Sequence, residues 1–508
     1  MFVLHEITRL DLIALAICAA LVCYALYTKV KHIQRTSEHG LLPPGPPGHW
    51  LYGNTTPRPY AHRQFHEWTK EYGPVFTLRQ GRKILIIVGR YQAAVDILEK
   101  EGANTADRPR SIAAGETLSG GMRILLTGVG ERLKKLRRAL HSQLQLKVVD
   151  TYEPIQMANA KNMLLDILQD PSHHQAHAKR YAASVIMSMA YGKTTPTSYS
   201  DPEVRSINKF TMRVGATIQP GKWMVDVFPL LRYVPGYFRT LKEWHKEELA
   251  LYTSQVETVR KQLVSESGQA RPSFAKYLLE RQAEYDLRDN ELAYLAGSMF
   301  GAGSDTSASA ISVAIMAAAT HSDAQKKVQE ELDSVVGRDR LPNFGDMDVL
   351  PYTMAFVLET FRWRPITPGG FMHKATQDIF WKEYCIPEGA AIIGNHWAIA
   401  RDPAVYPDPE SFKPQRWIRE DGKVKEDMKN YHAFGFGRRV CPGQHVAVRS
   451  VFINTALILW AFGLSGDPSN PIDTLAFTDT ANAHPLPYHV KFSPRVDRLR
   501  DLIEEDIE

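Results

Sequence analysis

The chain has 508 residues, 44% of them hydrophobic, with 61 basic against 56 acidic side chains and a formal net charge of +5. No Ser/Gly-rich linker or internal repeat interrupts it after the N-terminal region, so one large core is expected rather than several small ones. The mild, dispersed charge gives no nucleic-acid footprint, and the four cysteines, Cys18, Cys23, Cys385 and Cys441, lack the spacing of a disulfide framework.

From Leu12 to Tyr27 no charge appears, which as a helix gives a span of about 24 Å, workable in a thin bilayer. Lys29, Lys31 and Arg35 follow and place the C-terminal side in the cytosol, with Arg9 weakening the asymmetry. Glu6 and Asp11 before the run, and bulky Tyr24, Leu26 and Tyr27 at its end, argue for a retained anchor over a cleaved signal. Residues 1–40 are therefore expected to be a membrane anchor with its juxtamembrane segment, and 41–508 a single globular domain. The run Leu42-Pro43-Pro44-Gly45-Pro46-Pro47-Gly48 gives that domain a stiff, extended hinge at 41–48. The sequon Asn54-Thr55-Thr56 is idle if the domain is cytosolic.

The remaining pattern is mainly helical. Short strand-like runs at Val75 to Leu78, Ile84 to Val88 and between Phe371 and Ile393 are bounded by Gly or Pro, so the sheets should be small and peripheral. The basic run Arg132, Lys134, Lys135, Arg137, Arg138 reads as a helix, and His173, His174 and His177 as a solvated helix face rather than a metal site. Glu291 to Ala319 is apolar nearly all round and must run through the middle of the domain. It mimics a membrane span, but Ser298, Ser304, Asp305, Thr306 and Ser307 lie at its centre, where an ionised Asp in lipid costs several kcal/mol. Glu359 and Arg362 share one face of a helix beginning near Tyr352.

Near the C-terminus, Phe434-Gly435-Phe436-Gly437-Arg438-Arg439-Val440-Cys441-Pro442-Gly443 surrounds a cysteine with small residues, two arginines and a helix start. Pro442 suits a first helical position, and Val448, Val451, Phe452, Thr455, Ala456 and Leu459 follow at helical spacing. Helix N-termini and nearby cations favour a thiolate. Gly435, Gly437 and Gly443 permit a tight bend and close approach to a flat ligand, and Arg438 or Arg439 can neutralise that ligand's carboxylates, which haem possesses.

This decapeptide resembles the haem-binding signature of the cytochrome P450 superfamily at every defined position. Other motifs follow in family order: the proline hinge, Ala302-Gly303-Ser304-Asp305-Thr306-Ser307, Glu359-Thr360-Phe361-Arg362, and Phe412 to Trp417. The resemblance implies haem b with Cys441 as axial thiolate, Arg439 on a propionate and Phe434 beside the sulfur. It also implies propionate contacts from His373 and from Arg137, although Leu133 replaces the tryptophan that usually accompanies that arginine. Asp305 and Thr306 would be the catalytic proton-relay pair, with small neighbours leaving room beside the iron. Glu359, Arg362 and Arg416 would form a structural triad, Gln415 replacing a common Glu.

The activity implied is insertion of one oxygen atom from O2 into a lipophilic small molecule. Its pocket would draw on Ser111 to Ile124, Phe300, Ala302, Ile366 to Phe371 and Thr480 to Ala483. No flavin or nicotinamide motif is present, so electrons would come from NADPH-cytochrome P450 reductase, with cytochrome b5 as a second donor and the basic helix as a docking face. Pro407 to Phe412 and Gly221 to Pro235 look most like fungal microsomal members of secondary metabolism, which places the protein in the endoplasmic reticulum membrane facing the cytosol. A reductase-independent haem-thiolate isomerase or dehydratase, and a membrane-bound haem sensor, are the alternatives; the acid-alcohol pair weighs against the first, Thr306 and the roomy apolar pocket against the second.

Overall fold

The computed structural model describes residues 41–505 except 51, 82, 195–197, 220, 266–269 and 426–431. The expected anchor and the whole of 1–40 lie outside the described residues. Among the described residues no helix is long and apolar enough to cross a membrane.

Helices dominate, as the sequence pattern predicts. The longest, Asp289–Thr320, has acids Asp289 and Glu291 in its first turn, which suits the positive end of the helix dipole. It is buried almost throughout because its composition offers no polar face. Close packing explains two of its glycines. A Cβ on Gly297 would stand 2.3 Å from the Tyr252 ring, and one on Gly303 would stand 2.7 Å from Ile186. The helices His174–Tyr191, Arg239–Val264, Pro351–Trp363 and Gln444–Ala461 pack around it and share its core.

Among the described residues eight short strands lie outside this helical mass: β1 (Val75–Gln80), β2 (Lys83–Val88), β3 (His373–Lys374), β4 (Ile379–Trp381), β5 (Tyr384–Ile386), β6 (Ala391–Gly394), β7 (Phe462–Ser465) and β8 (Lys491–Pro494). The main sheet runs β1-β2-β6-β3, antiparallel from β1 to β2, parallel from β2 to β6 and antiparallel from β6 to β3. Hairpin β4-β5 and ribbon β7-β8 are separate.

The proline-rich hinge is extended but not free. Leu41 bridges to Tyr384, Pro44 O accepts Thr77 N–H (2.8 Å), and a Cβ on Gly45 would strike Thr77 O at 2.0 Å. Both ends of the Asn54 amide are engaged, Nδ2 donating to Pro46 O (3.0 Å) and Oδ1 accepting Arg79 N–H (2.8 Å). The sequon asparagine thus serves a turn against β1.

One expectation fails outright. His174 and His177 are buried rather than solvated. His174 stacks edge-on against Tyr488 and His177 bonds Asp170 O (2.8 Å), because this helix is sandwiched between core and C-terminal segment.

Candidate active site

Cys441 sits in the loop just before the buried helix Gln444–Ala461. Its N–H donates to Phe434 O (2.9 Å), closing a loop in which Gly435 (φ 86°) and Gly437 (φ 55°) take left-handed conformations that disfavour side chains. Gly437 is doubly constrained, since a Cβ there would lie 2.5 Å from Leu98 O. Gly443 differs from the expectation: it is the N-cap with φ −90°, so no turn geometry demands glycine there. Pro442 also precedes the helix instead of opening it, because the chain spends two more residues turning under the sulfur. Phe434 packs against Phe361 at 5.2 Å between ring centroids, beside the loop.

The loop alone does not make an anion. Burial pushes the Cys441 thiol up, and the Gly443 N–H and the Arg137 charge only partly oppose it. The helix terminus and cations that the sequence offered as the thiolate's support therefore lose to desolvation, and a bound cation at sulfur must supply the rest.

Such a ligand is also called for by charge. Arg439 Nη2 donates to Thr127 O (2.7 Å), Arg137 Nη2 to Val440 O (2.9 Å), and Arg108 Nε to Leu125 O (3.1 Å) and its Nη1 to Phe371 and Met372 carbonyls. Backbone carbonyls hold all three guanidinium groups. Burial and mutual repulsion lower Arg108 to about 9 and Arg439 to about 10. The one carboxylate that offsets them, Asp107, is already paired with Lys374 at 2.7 Å. Three crowded cations with so little compensation are costly in a low-dielectric site unless an anion joins them. Two propionates beside a thiolate-bound iron fit that deficit, so these residues suit haem.

Arg108 was not found in the sequence. Its Asp-Arg-Pro context carries no periodicity, and it meets Arg439 only because residues 106–107 bridge to Lys374 of β3. His373 lies in the same neighbourhood: its buried ring donates from Nδ1 to Thr105 O (2.9 Å), and burial with Arg108 beside it drops its pKa to about 3. Leu133, where the family's tryptophan would be, is buried in the core.

On the central helix, Ala302 alone is exposed between 291 and 320, with Ser298, Gly303, Asp305 and Thr306 half-buried around it. Thr306 Oγ1 donates to Ala302 O (2.8 Å), loosening the ladder of backbone bonds at this point. Gly303 is spent on packing against Ile186, so Ala302 is the small residue on the open side. Phe300 is fully buried against Tyr191 and lines no pocket, contrary to the expectation. Asp305 turns to the 478–484 turn: Asn482 Nδ2 donates to its Oδ2 (2.7 Å) and His484 Nε2 lies 3.0 Å from its Oδ1.

Glu359 is fully buried and saturated. Arg362 reaches it through Nε and Nη2 (both 2.8 Å), Arg416 through Nε (3.0 Å), and the Lys413 N–H (2.8 Å) and Trp417 Nε1 (2.9 Å) complete the set. Arg362 spends its remaining donors on the carbonyls of Ala400, Pro409 and Ser411. The basic helix Glu131–Leu144 is less bare than its sequence implied: Arg132 pairs with Glu291, Lys134 with Glu131 and Lys135 with Asp286, while Arg138 lies over Tyr285.

A helical domain with small edge sheets, a cysteine loop under a buried helix and a cationic cluster beside it define a haem-thiolate protein. The sequence profile described as Cytochrome P450 matches residues 43–492. Cytochrome P450 monooxygenase 64 of Postia placenta is 56% identical over 97% of this chain and 98% of its own. A cytochrome P450 monooxygenase of Armillaria gallica is 36% identical over 95% of both, and Cytochrome P450 monooxygenase claR of Ampulloclitocybe clavipes 33% over 95% of this chain and 91% of its own. The chain belongs to the cytochrome P450 family, as a monooxygenase that binds haem b through a cysteine thiolate and uses O2, a small-molecule substrate and a redox partner.

Proposed function

We propose that Cys441 is the axial ligand and that the protein hydroxylates, or similarly oxidises, a lipophilic small molecule in fungal secondary metabolism, with electrons from NADPH-cytochrome P450 reductase. The observation that carries this assignment is the set of crowded guanidinium groups of Arg108, Arg137 and Arg439 beside the Cys441 loop, a charge deficit that two carboxylates of one ligand would fill. Haem, when bound, supplies the activation of O2 and its transfer to substrate. The protein's own part is to hold sulfur at 441, to neutralise the propionates, and to keep a proton-bearing pair, Asp305 and Thr306, on the open side of the central helix. Glu359, Arg362 and Arg416 fix the loop region on the sulfur side as a structural set, and residues 41–508 act as one catalytic domain. Cytochrome b5 remains a second electron donor to test beside the reductase. Thr367 Oγ1 donates to Asn482 Oδ1 (3.1 Å), so both polar side chains are engaged beside Asp305.

We also place the enzyme on the endoplasmic reticulum membrane through residues 1–40. Support comes from one end of the domain, where Met224, Phe228, Leu230 and Tyr233 are exposed together with Trp50 and Tyr52. Contacts tie these segments into one surface, Gly81 N–H donating to Tyr52 O (2.7 Å) and Lys83 Nζ to Asp226 O (2.6 Å). An apolar patch of this kind suits the interface of a bilayer.

The deciding experiment is the spectrum of the reduced, carbon monoxide-bound protein. Wild type should show the red-shifted Soret band of thiolate ligation, and Cys441→Ser should lose it while retaining its fold by far-UV circular dichroism. A Cys441→Ser protein with the wild-type band overturns the assignment. Product profiling in a host lacking neighbouring biosynthetic genes tests the metabolic role.

A further inference from the structure

We propose that His484 supplies protons to Asp305, so that the acid of the central helix is recharged through an imidazole contributed by the 478–484 turn. The proposal rests on the reading of Asp305 as a proton carrier given above, and adds the group behind it.

The turn is built to present this histidine. Ser309 Oγ donates to Ala483 O (2.7 Å), Ala483 N–H to Ile366 O (2.8 Å), His484 N–H to Thr478 Oγ1 (3.0 Å) and Thr478 N–H to His484 O (2.9 Å). Two separate segments and the start of the turn itself thus hold the backbone on either side of the ring. Asp305 is then divided by its partners. Oδ2 accepts the Asn482 amide, whose own oxygen is held by Thr367, so the amide cannot turn its oxygen towards the carboxylate. Oδ1 faces only the His484 Nε2 at 3.0 Å among the described contacts of that atom. Asn482 can donate but never accept a proton here, and so keeps Oδ2 an acceptor. The proton-carrying oxygen is Oδ1.

The His484 side chain is 26% accessible and that of Asp305 13%, so the imidazole is the more open of the two to water. A buried ion pair with purely structural duties would be shut off and saturated, as Glu359 is. Histidine is also the side chain able to take up and release a proton near neutral pH, through two distinct nitrogens. In the step proposed, Nδ1 binds a proton from water and the Nε2 proton passes to Asp305 Oδ1. The carboxylic acid then gives that proton up on the open side of the helix beside Thr306. No electron moves; Asp305 returns to its carboxylate, and the imidazole, left as its Nδ1–H tautomer, is reset by proton exchange with water at its partly accessible side chain.

The test uses the full-length haem-loaded enzyme with its reductase, dioxygen being the only acceptor, and reads NADPH oxidation in H2O and D2O. His484→Gln keeps a hydrogen-bond donor against Asp305 but cannot carry a proton. It should slow NADPH oxidation by about 10-fold or more and enlarge the solvent isotope effect, with the reduced carbon monoxide spectrum and haem content unchanged. Asp305→Asn should do the same, and the double variant should be no slower than the slower single one, because the two groups act in series. A His484→Gln enzyme at the wild-type rate, or losses that multiply in the double variant, overturns the proposal. Should Asp305→Asn alone leave the rate unchanged, the failure lies in the reading of Asp305 itself. His484→Asn serves as the second variant if His484→Gln does not fold.

Discussion

Two acids of this protein sit in opposite settings. Glu359 receives five hydrogen bonds, lies in contact with two arginines and is wholly sealed from water. Asp305 has one amide donor and one imidazole partner and stays partly accessible near the exposed Ala302. A saturated carboxylate cannot exchange its proton without breaking a network, so it suits a scaffold; an acid with one labile partner can. The two acids differ in burial as well as in the number and kind of their donors.

The contrast is open to attack by substitution. Glu359→Gln should cost about 3–5 kcal/mol in denaturant unfolding of the haem-loaded protein, since it leaves Arg362 and Arg416 without their counter-charge. Asp305→Asn should do the reverse, unfolding within about 0.5 kcal/mol of wild type while coupled turnover falls on the order of 100-fold. If instead Asp305→Asn unfolds like Glu359→Gln, the distinction drawn from donor counts is wrong. Arg108→Gln probes the cationic cluster from the third side: losing one charged hydrogen bond should weaken haem retention about 10-fold to 100-fold, read by transfer of haem to apomyoglobin.

A separate test concerns pH. Burial holds His66, His174 and His396 near pKa 4, well below their usual 6.5. Between about 6.5 and 4 the unfolded chain therefore binds protons that the folded one refuses, so stability should fall as pH drops through that window and level off below it. Urea midpoints at pH 7 and pH 5 check this. An unchanged midpoint would mean that these rings take up protons in the folded state.

What the sequence determined by itself is what is local. The cysteine loop, the apolar helix with its polar centre and the Glu359 to Arg362 spacing are set by neighbours within one or two turns, and periodicity exposes them. The helix seen at Asp289–Thr320 matches the expected Glu291 to Ala319 within two residues, and β1 to β6 fall in the three expected stretches, whereas β7 and β8 were not among them. The tertiary structure alone decided which distant groups meet. It put Arg108 beside Arg439, gave His373 to Thr105, turned Phe300 away from the open side and faced Asp305 with His484. Those pairings join residues separated by more than 100 positions, where no hydrophobic period or cap signal reaches. They follow from how sheet, turn and central helix pack, and packing is a property of the whole chain.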